Sequence, residues 1–221
     1  MFLFHHYFFG DILIPKNSKF DIDQINFELD FALGIIKDFL IDINCINLLN
    51  KVNLVSTRIC TNQKLLFSKI AELDNAFMLK SVPQSSGLSA AIIDKRLVVL
   101  SSSYFIKLRP EYTKVDHSWS RLIAHELGHI IHIELLNGNE SKMGPQWFYE
   151  GFALHVGGNI CTRIRYNSAQ EALEPAYIKN RKSYLYYYNV FEYFLEKIEL
   201  VKLFENASIE NFEEWLIEMT K

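Results

Sequence analysis

The sequence predicts an α+β fold, with strands concentrated in the N-terminal part and helices in the C-terminal part. Two β-type apolar runs, "KVNLVSTRIC" and "SAAIIDKRLVVLSS", lie before residue 116. Beyond that point apolar residues recur mainly at helical spacing. No segment of linker composition separates the two parts, and 221 residues suffice for one sizeable core. We therefore expect one domain over residues 1–221, with lobes at 1–115 and 116–221.

The N-terminal part is expected to alternate helices with strands. At its apolar start, Gly10-Asp11 separates two apolar runs, which is typical of a hairpin. Segment 21–42 has helical spacing, with Asp21 or Asp23 as the capping residue. "NQKLLFSKIAEL" predicts a short helix, and "AFMLKSV" a further strand. Asp94-Lys95-Arg96 is expected to turn the next run into a hairpin.

The C-terminal part is expected to be helical. Glycines and a proline mark the ends of its first two helices: Gly138-Asn139 follows one, Pro145 starts the next, and Gly157-Gly158-Asn159 ends it. The apolar spacing predicts four helices, at 118–136, 146–157, 183–199 and 208–219.

The composition argues against two classes of partner. A net charge of −3 gives no long-range attraction to nucleic acid or to an anionic membrane. The apolar N-terminal run is too short to span a bilayer and has no preceding Lys or Arg. Three cysteines without a CxxC pair indicate neither a disulfide framework nor a cysteine zinc site. We expect a cytoplasmic protein that binds neither nucleic acid nor membrane; no oligomeric state is predicted.

The segment "SRLIAHELGHIIHIELL" (120–136) places two histidines and a glutamate in an apolar helical run. Because His125 and His129 are about one helical turn apart, their imidazoles share a face and can bind one zinc ion. Glu126 lies beside them, where a base reaches the attacking water without ligating the metal. Burying three such groups is costly unless a partner compensates. The pattern therefore predicts a zinc site.

A catalytic zinc ion usually has three protein ligands, so a third is needed. The metzincin continuation would require glycine at 132 and histidine at 135, but the chain has His132 and Leu135. On the next predicted helix, "PQWFYEGFALHV" supplies Glu150. We expect Glu150 to be the third ligand, with His155 and His132 as the alternatives.

"HELGH" followed by "WFYEGFA" resembles the gluzincin clan of zinc metallopeptidases, especially the bacterial peptidase-MA-like domains and the M1-type aminopeptidases. The resemblance extends over residues 118–196. It implies one zinc ion held by His125, His129 and Glu150, with Glu126 as the general base. It also implies a zincin-like two-lobed domain with the metal site in the cleft, acting on a peptide or protein substrate.

Two departures from the M1-type enzymes limit what the resemblance implies. Twenty residues lie between His129 and Glu150, slightly more than in those enzymes, and the loop "NGNESKMG" can absorb the difference. The glycine-rich motif that holds a free substrate amine there has no counterpart, so aminopeptidase activity is not implied. An endopeptidase is expected. The alternatives are a catalytically silent zinc-binding module and a non-peptidase amide hydrolase. Glu126 argues against the silent module, since a structural site needs no base.

The resemblance also implies a tyrosine on a later helix that donates a hydrogen bond to the developing oxyanion. "SYLYYYNVFEYFLEK" offers several tyrosines, and the family pattern selects Tyr184. Tyr187 and Tyr188 are alternatives one turn along the helix.

The strand before the metal helix is the candidate for binding substrate. Such peptidases hold an extended peptide along a sheet edge through backbone hydrogen bonds. In "SSGLSAAII", Gly87 permits close approach, and the residues after it are mostly small. We expect the substrate to contact Gly87, Leu88, Ser89 and Ala90; an ordinary turn and strand is the alternative.

Overall fold

The computed structural model describes residues 12–15, 21–52, 55–73, 88–158, 162–178 and 183–221. The chain divides into two compact units, Met1–Leu127 and Gly128–Lys221. The boundary falls inside the long helix that carries the HELGH motif. Both histidines of that motif lie on this one continuous helix. The predicted single domain, with lobes at 1–115 and 116–221, stays a prediction.

The first unit contains a small mixed sheet together with helices. Its described elements are β1 (Ile12–Leu13), α1 (Ile22–Asp42), α2 (Leu49–Val52), β2 (Ser56–Cys60), α3 (Gln63–Leu73), β3 (Ala90–Ile93), β4 (Arg96–Leu100) and α4 (Ser102–Leu108). The strands follow the order β1-β2-β4-β3, in which β2 pairs in parallel with both β1 and β4, whereas β3 and β4 are antiparallel.

The hairpin between β3 and β4 confirms the turn expected from the sequence. Asp94 and Lys95 both adopt left-handed backbone angles, with φ of 53° and 58°. A two-residue turn with positive φ at both positions matches the twist of antiparallel strands. The turn sets the register in which Ile93 opposes Arg96. Among the described strands, β3 is an edge strand, at one end of the sheet.

Helix α1 confirms the predicted helix and decides between its two candidate caps. The Asp21 carboxylate accepts hydrogen bonds from the backbone N–H groups of Asp23 and Gln24, at 3.0 and 3.1 Å. These bonds satisfy two of the donors that a helix start leaves unpaired. The apolar positions of the sequence pattern are the buried face of this helix: Ile25, Leu29, Leu33, Ile36 and Leu40.

The long helix α5 (Ser118–Leu135) crosses from the first unit into the second. Pro145 precedes the next helix, and Gly158 ends it with a left-handed φ of 61°, as the sequence predicts. The predicted helix 183–199 ends earlier, at Leu195, where the backbone N–H of Lys197 bonds to the carbonyl of Phe194 three residues back and tightens the last turn. The remaining described helices are α6 (Gln146–Gly157), α7 (Ala169–Leu173), α8 (Ser183–Leu195), α9 (Leu200–Asn206) and α10 (Phe212–Met219).

The mixture of helices with a four-stranded sheet is compatible with the predicted α+β class. In the part of the chain that the structure describes, no helix is both long and apolar enough to cross a membrane. The predicted strand "AFMLKSV", the Gly10-Asp11 hairpin and Gly87 lie outside the described residues.

Candidate metal centre

The two histidines of the HELGH motif lie on α5 with Glu126 between them. His125 and Glu126 are buried, with 5% and 9% of their surface exposed. The side chain of His129 is 15% exposed. Their four-residue spacing places both imidazoles on one face of the helix. Three polar groups are thus held in a largely water-excluded position, as the sequence predicts for a site that binds a partner.

Glu150 approaches this pair from α6. Its carboxylate oxygen Oε2 lies 3.7 Å from Nε2 of His129, and its side chain is 12% exposed. One ligand atom from each of His125, His129 and Glu150 lies within 4.8 Å of the others. Ligand atoms about 2.0–2.2 Å from a tetrahedral zinc ion are about 3.4 Å apart, so a small contraction would suit the group to zinc. Two imidazoles and a carboxylate are also a donor set that zinc accepts.

Two glycines bring the helices of the second unit close enough for this geometry. A Cβ atom on Gly128 would lie 3.2 Å from the Cα of Ala153, so α5 and α6 are in close contact. A Cβ on Gly151 would lie 2.6 Å from both the carbonyl oxygen of Tyr187 and the Cβ of Phe191, so α6 and α8 are in even closer contact. These are the glycines of "HELGH" and "EGF", next to His129 and Glu150. Close backbone approach therefore helps to position two of the predicted ligands.

The alternative third ligands have other surroundings and are not in this group. His155 forms a hydrogen bond through Nδ1 with the carboxylate of Glu192 on α8. His132 is fully buried, and its ring lies 4.6–5.6 Å from the ring centres of Phe148, Phe152 and Phe204. Among the described residues, neither nitrogen of His132 has a hydrogen-bond partner. Of the three candidates, Glu150 is the one that the structure places beside both histidines.

With leucine in place of His132, the protein is expected to lose less stability than wild type when the pH is lowered. Burial, with a smaller contribution from nearby His129, lowers the pKa of His132 from 6.5 to about 3. As the pH falls from 6.5 toward about 3, the imidazole of the unfolded chain binds a proton that the folded one does not. The free energy of unfolding therefore falls by at most about 1.4 kcal/mol per pH unit. Urea unfolding of the metal-free proteins, at neutral pH and at about pH 5, measures the difference. An equal difference at the two pH values would contradict this account.

The candidate oxyanion donors lie on α8, but in different environments. Tyr184 is 42% exposed, whereas Tyr187 and Tyr188 are buried. Burial is the main cause that raises the pKa of Tyr187; a hydrogen bond with Ser183 opposes it, and the Glu150 carboxylate adds to it. The hydroxyl of Tyr187 therefore lies in the electrostatic range of a predicted metal ligand. Tyr184 has its ring 6.0 Å from that of Tyr187.

The sequence reasoning missed Tyr149, which the structure places at the site. Its ring lies edge-on to the imidazole of His129, with centres 6.0 Å apart and planes at 66°. Burial raises the pKa of Tyr149, and the negative charge of Glu150 and the proximity of Tyr187 raise it further. Its position directly before Glu150 in "WFYEGFA" was the signal that could have identified it.

The predicted substrate strand is described only in part. Ser89 and Ala90 are buried, with 7% and 3% of their surface exposed, and Leu88 is half-buried. The carbonyl of Ser89 accepts a hydrogen bond from the N–H of Leu100, which extends the β3–β4 pairing by one residue. A strand at the end of a sheet has backbone groups on one side that can pair with an added peptide. The substrate role of residues 87–90 stays a prediction.

Comparison with known proteins gives no match: no protein-family model, curated protein or solved structure matches this chain.

Proposed function

We propose that the protein is a zinc-dependent metallopeptidase of the gluzincin type, with one zinc ion bound by His125, His129 and Glu150. The observation that carries this proposal is the grouping of two imidazoles and a carboxylate within 4.8 Å of one another. The glutamate next to the first histidine supports an enzyme over a structural site, because structural zinc needs no adjacent base. In this proposal the fold is the two-lobed zincin type, with the site in the cleft, and the protein is cytoplasmic.

Zinc at this site would polarise a substrate carbonyl and increase the acidity of the attacking water. The Glu126 carboxylate accepts a proton from that water while the water oxygen forms a bond to the carbonyl carbon. The same carboxyl group then donates the proton to the departing amine as the C–N bond breaks. The Glu126 side chain is largely removed from bulk solvent, with 9% of its surface exposed.

A tyrosine of α8 is proposed as the hydrogen-bond donor to the developing oxyanion. The family pattern selects Tyr184, which is exposed enough to contact a substrate. The electrostatic effect of Glu150 on the Tyr187 hydroxyl favours Tyr187. A neutral phenol donates such a hydrogen bond at neutral pH. Tyr184→Phe and Tyr187→Phe separate the two candidates. The variant that lacks the donor is expected to hydrolyse peptide more slowly and to retain zinc, and the other variant is expected to keep wild-type activity and zinc content.

The proposed substrate is a peptide or protein segment in extended conformation, cleaved internally. It would add to the β3 edge near Leu88, Ser89 and Ala90, with Gly87 beside them. Main-chain hydrogen bonds of this kind select extended backbone rather than a particular sequence.

Zinc content by mass spectrometry tests the proposal directly. Wild-type protein is expected to contain near-stoichiometric zinc, and Glu150→Ala is expected to lose most of it, because outright loss of a ligand leaves only two. Glu192→Ala is the matched control, since Glu192 is 13% exposed and also pairs with a histidine of α6. Absence of zinc from wild-type protein supplied with zinc would overturn the proposal. Retention of zinc by Glu150→Ala would place the third ligand elsewhere.

A further inference from the structure

Tyr149 occupies a position at the metal centre to which the reaction scheme above assigns no role. It lies on α6 directly before Glu150, and its ring contacts His129 of α5. The close contact between Gly128 and Ala153 keeps these two helices together beside it. Tyr149 therefore contacts one predicted ligand through its side chain and adjoins another through the backbone.

The orientation of His129 needs a physical cause. An imidazole rotates about two side-chain bonds, and only some orientations direct Nε2 toward Glu150. Residues that contact a metal ligand commonly fix its orientation, and their replacement costs about 10–100-fold in metal affinity. A ring held edge-on against the imidazole restricts its rotation without a hydrogen bond. The ring of Tyr149 has this position, at 6.0 Å and 66°.

We propose that Tyr149 is a positioning residue of the metal centre, whose ring holds the imidazole of His129 with Nε2 directed toward Glu150. This inference rests on the proposed zinc site. The ring does the holding, so phenylalanine replaces tyrosine without loss, whereas a side chain without a ring does not. Tyr149 itself neither ligates the metal nor transfers a proton in this scheme.

Zinc affinity, measured by competition with a chromophoric chelator, tests the inference. Tyr149→Leu and Tyr149→Ala are expected to bind zinc at least about tenfold more weakly than wild type, and Tyr149→Phe equally well. Tyr193→Ala is the matched control, because Tyr193 is a half-buried tyrosine of the same unit whose ring contacts Tyr166 and Phe194. It is expected to retain wild-type affinity. The leucine variant keeps apolar bulk at position 149, which guards against simple unfolding.

The outcomes separate this inference from the proposed function. Wild-type affinity in both Tyr149→Leu and Tyr149→Ala would overturn the positioning role and leave the zinc site intact. An equal loss in Tyr193→Ala would mean that general destabilisation lowers the affinity, which also overturns it. Absence of zinc binding in wild type would overturn both proposals.

A second measurement does not depend on metal. In the metal-free protein, the ring current of Tyr149 is expected to shift the NMR signals of the His129 ring protons. Tyr149→Phe should retain that shift and Tyr149→Leu should abolish it. An unchanged His129 spectrum in Tyr149→Leu would show that the two rings are not in contact, which removes the basis of the inference.

Discussion

Replacement of Glu126 by glutamine is expected to lower the rate of peptide hydrolysis by about 10²–10⁴-fold and to leave the zinc content unchanged. Glutamine keeps the shape of the side chain but cannot accept the proton of the attacking water or deliver it to the leaving amine. The zinc content stays constant because the expected ligands are His125, His129 and Glu150. Hydrolysis of a mixed peptide library, followed by mass spectrometry, measures the rate in wild type and variant.

A control on the same helix makes this result specific. Glu134 is a half-buried glutamate two turns further along α5 and outside the metal group. Glu134→Gln changes the charge by the same amount and is expected to keep both zinc and activity. If Glu126→Gln retained zinc and wild-type hydrolysis, Glu126 would not be the base. If no peptide were cleaved by wild-type protein that binds zinc, the proposed peptidase activity would fail while the metal site stood.

Local patterns in the sequence predicted the elements that depend on nearby residues. The Asp21 cap, the two-residue turn at Asp94 and the left-handed Gly158 each depend on a few neighbouring positions. The pairing of His125 with His129 is local too, since helical spacing alone sets it. Glu150 required one further assumption, that α6 follows α5 back toward the same face.

Contacts between distant residues could not be predicted in this way. The hydroxyl of Ser120, near the start of α5, donates a hydrogen bond to the carboxylate of Glu28 on α1, and the two residues are 92 positions apart. His117, just before α5, has a left-handed φ of 53° and stacks on Phe31 with ring centres 3.8 Å apart. Such pairs position helix α5 in the first unit, but no spacing rule reveals them.

The aromatic interior of the second unit illustrates the same limit. Helical spacing places His132 about one turn beyond His129, but it does not reveal that three phenylalanine rings enclose it. The phenylalanine of α9 belongs to a helix that the sequence did not predict, because seven residues give too short a periodic pattern. Tyr149 adjoins Glu150 in the sequence, but its contact with His129 depends on the distance between α5 and α6, which no local pattern gives.

The close contact between α6 and α8 is tested by replacing Gly151 with alanine. The added Cβ would meet the Tyr187 carbonyl oxygen and the Phe191 Cβ at 2.6 Å, and neither atom is the far end of a flexible side chain. Helix α6 must therefore move away from α8 and carry Glu150 with it. We expect the free energy of unfolding to fall by about 1–3 kcal/mol and zinc affinity to fall as well. Thermal unfolding and chelator competition measure the two effects.

Two other helical glycines turn this expectation into a graded series. At Gly34 of α1 a Cβ meets nothing within 4 Å, so alanine is expected to stabilise the helix by about 0.5–1 kcal/mol. At Gly128 the nearest atom is 3.2 Å away, so a shift of a few tenths of an ångström relieves the contact and a smaller loss is expected. Because the chemical change is the same at all three positions, only the space around each Cβ differs. A Gly151→Ala protein as stable and as tightly zinc-bound as Gly34→Ala would show that close contact between α6 and α8 does not position Glu150.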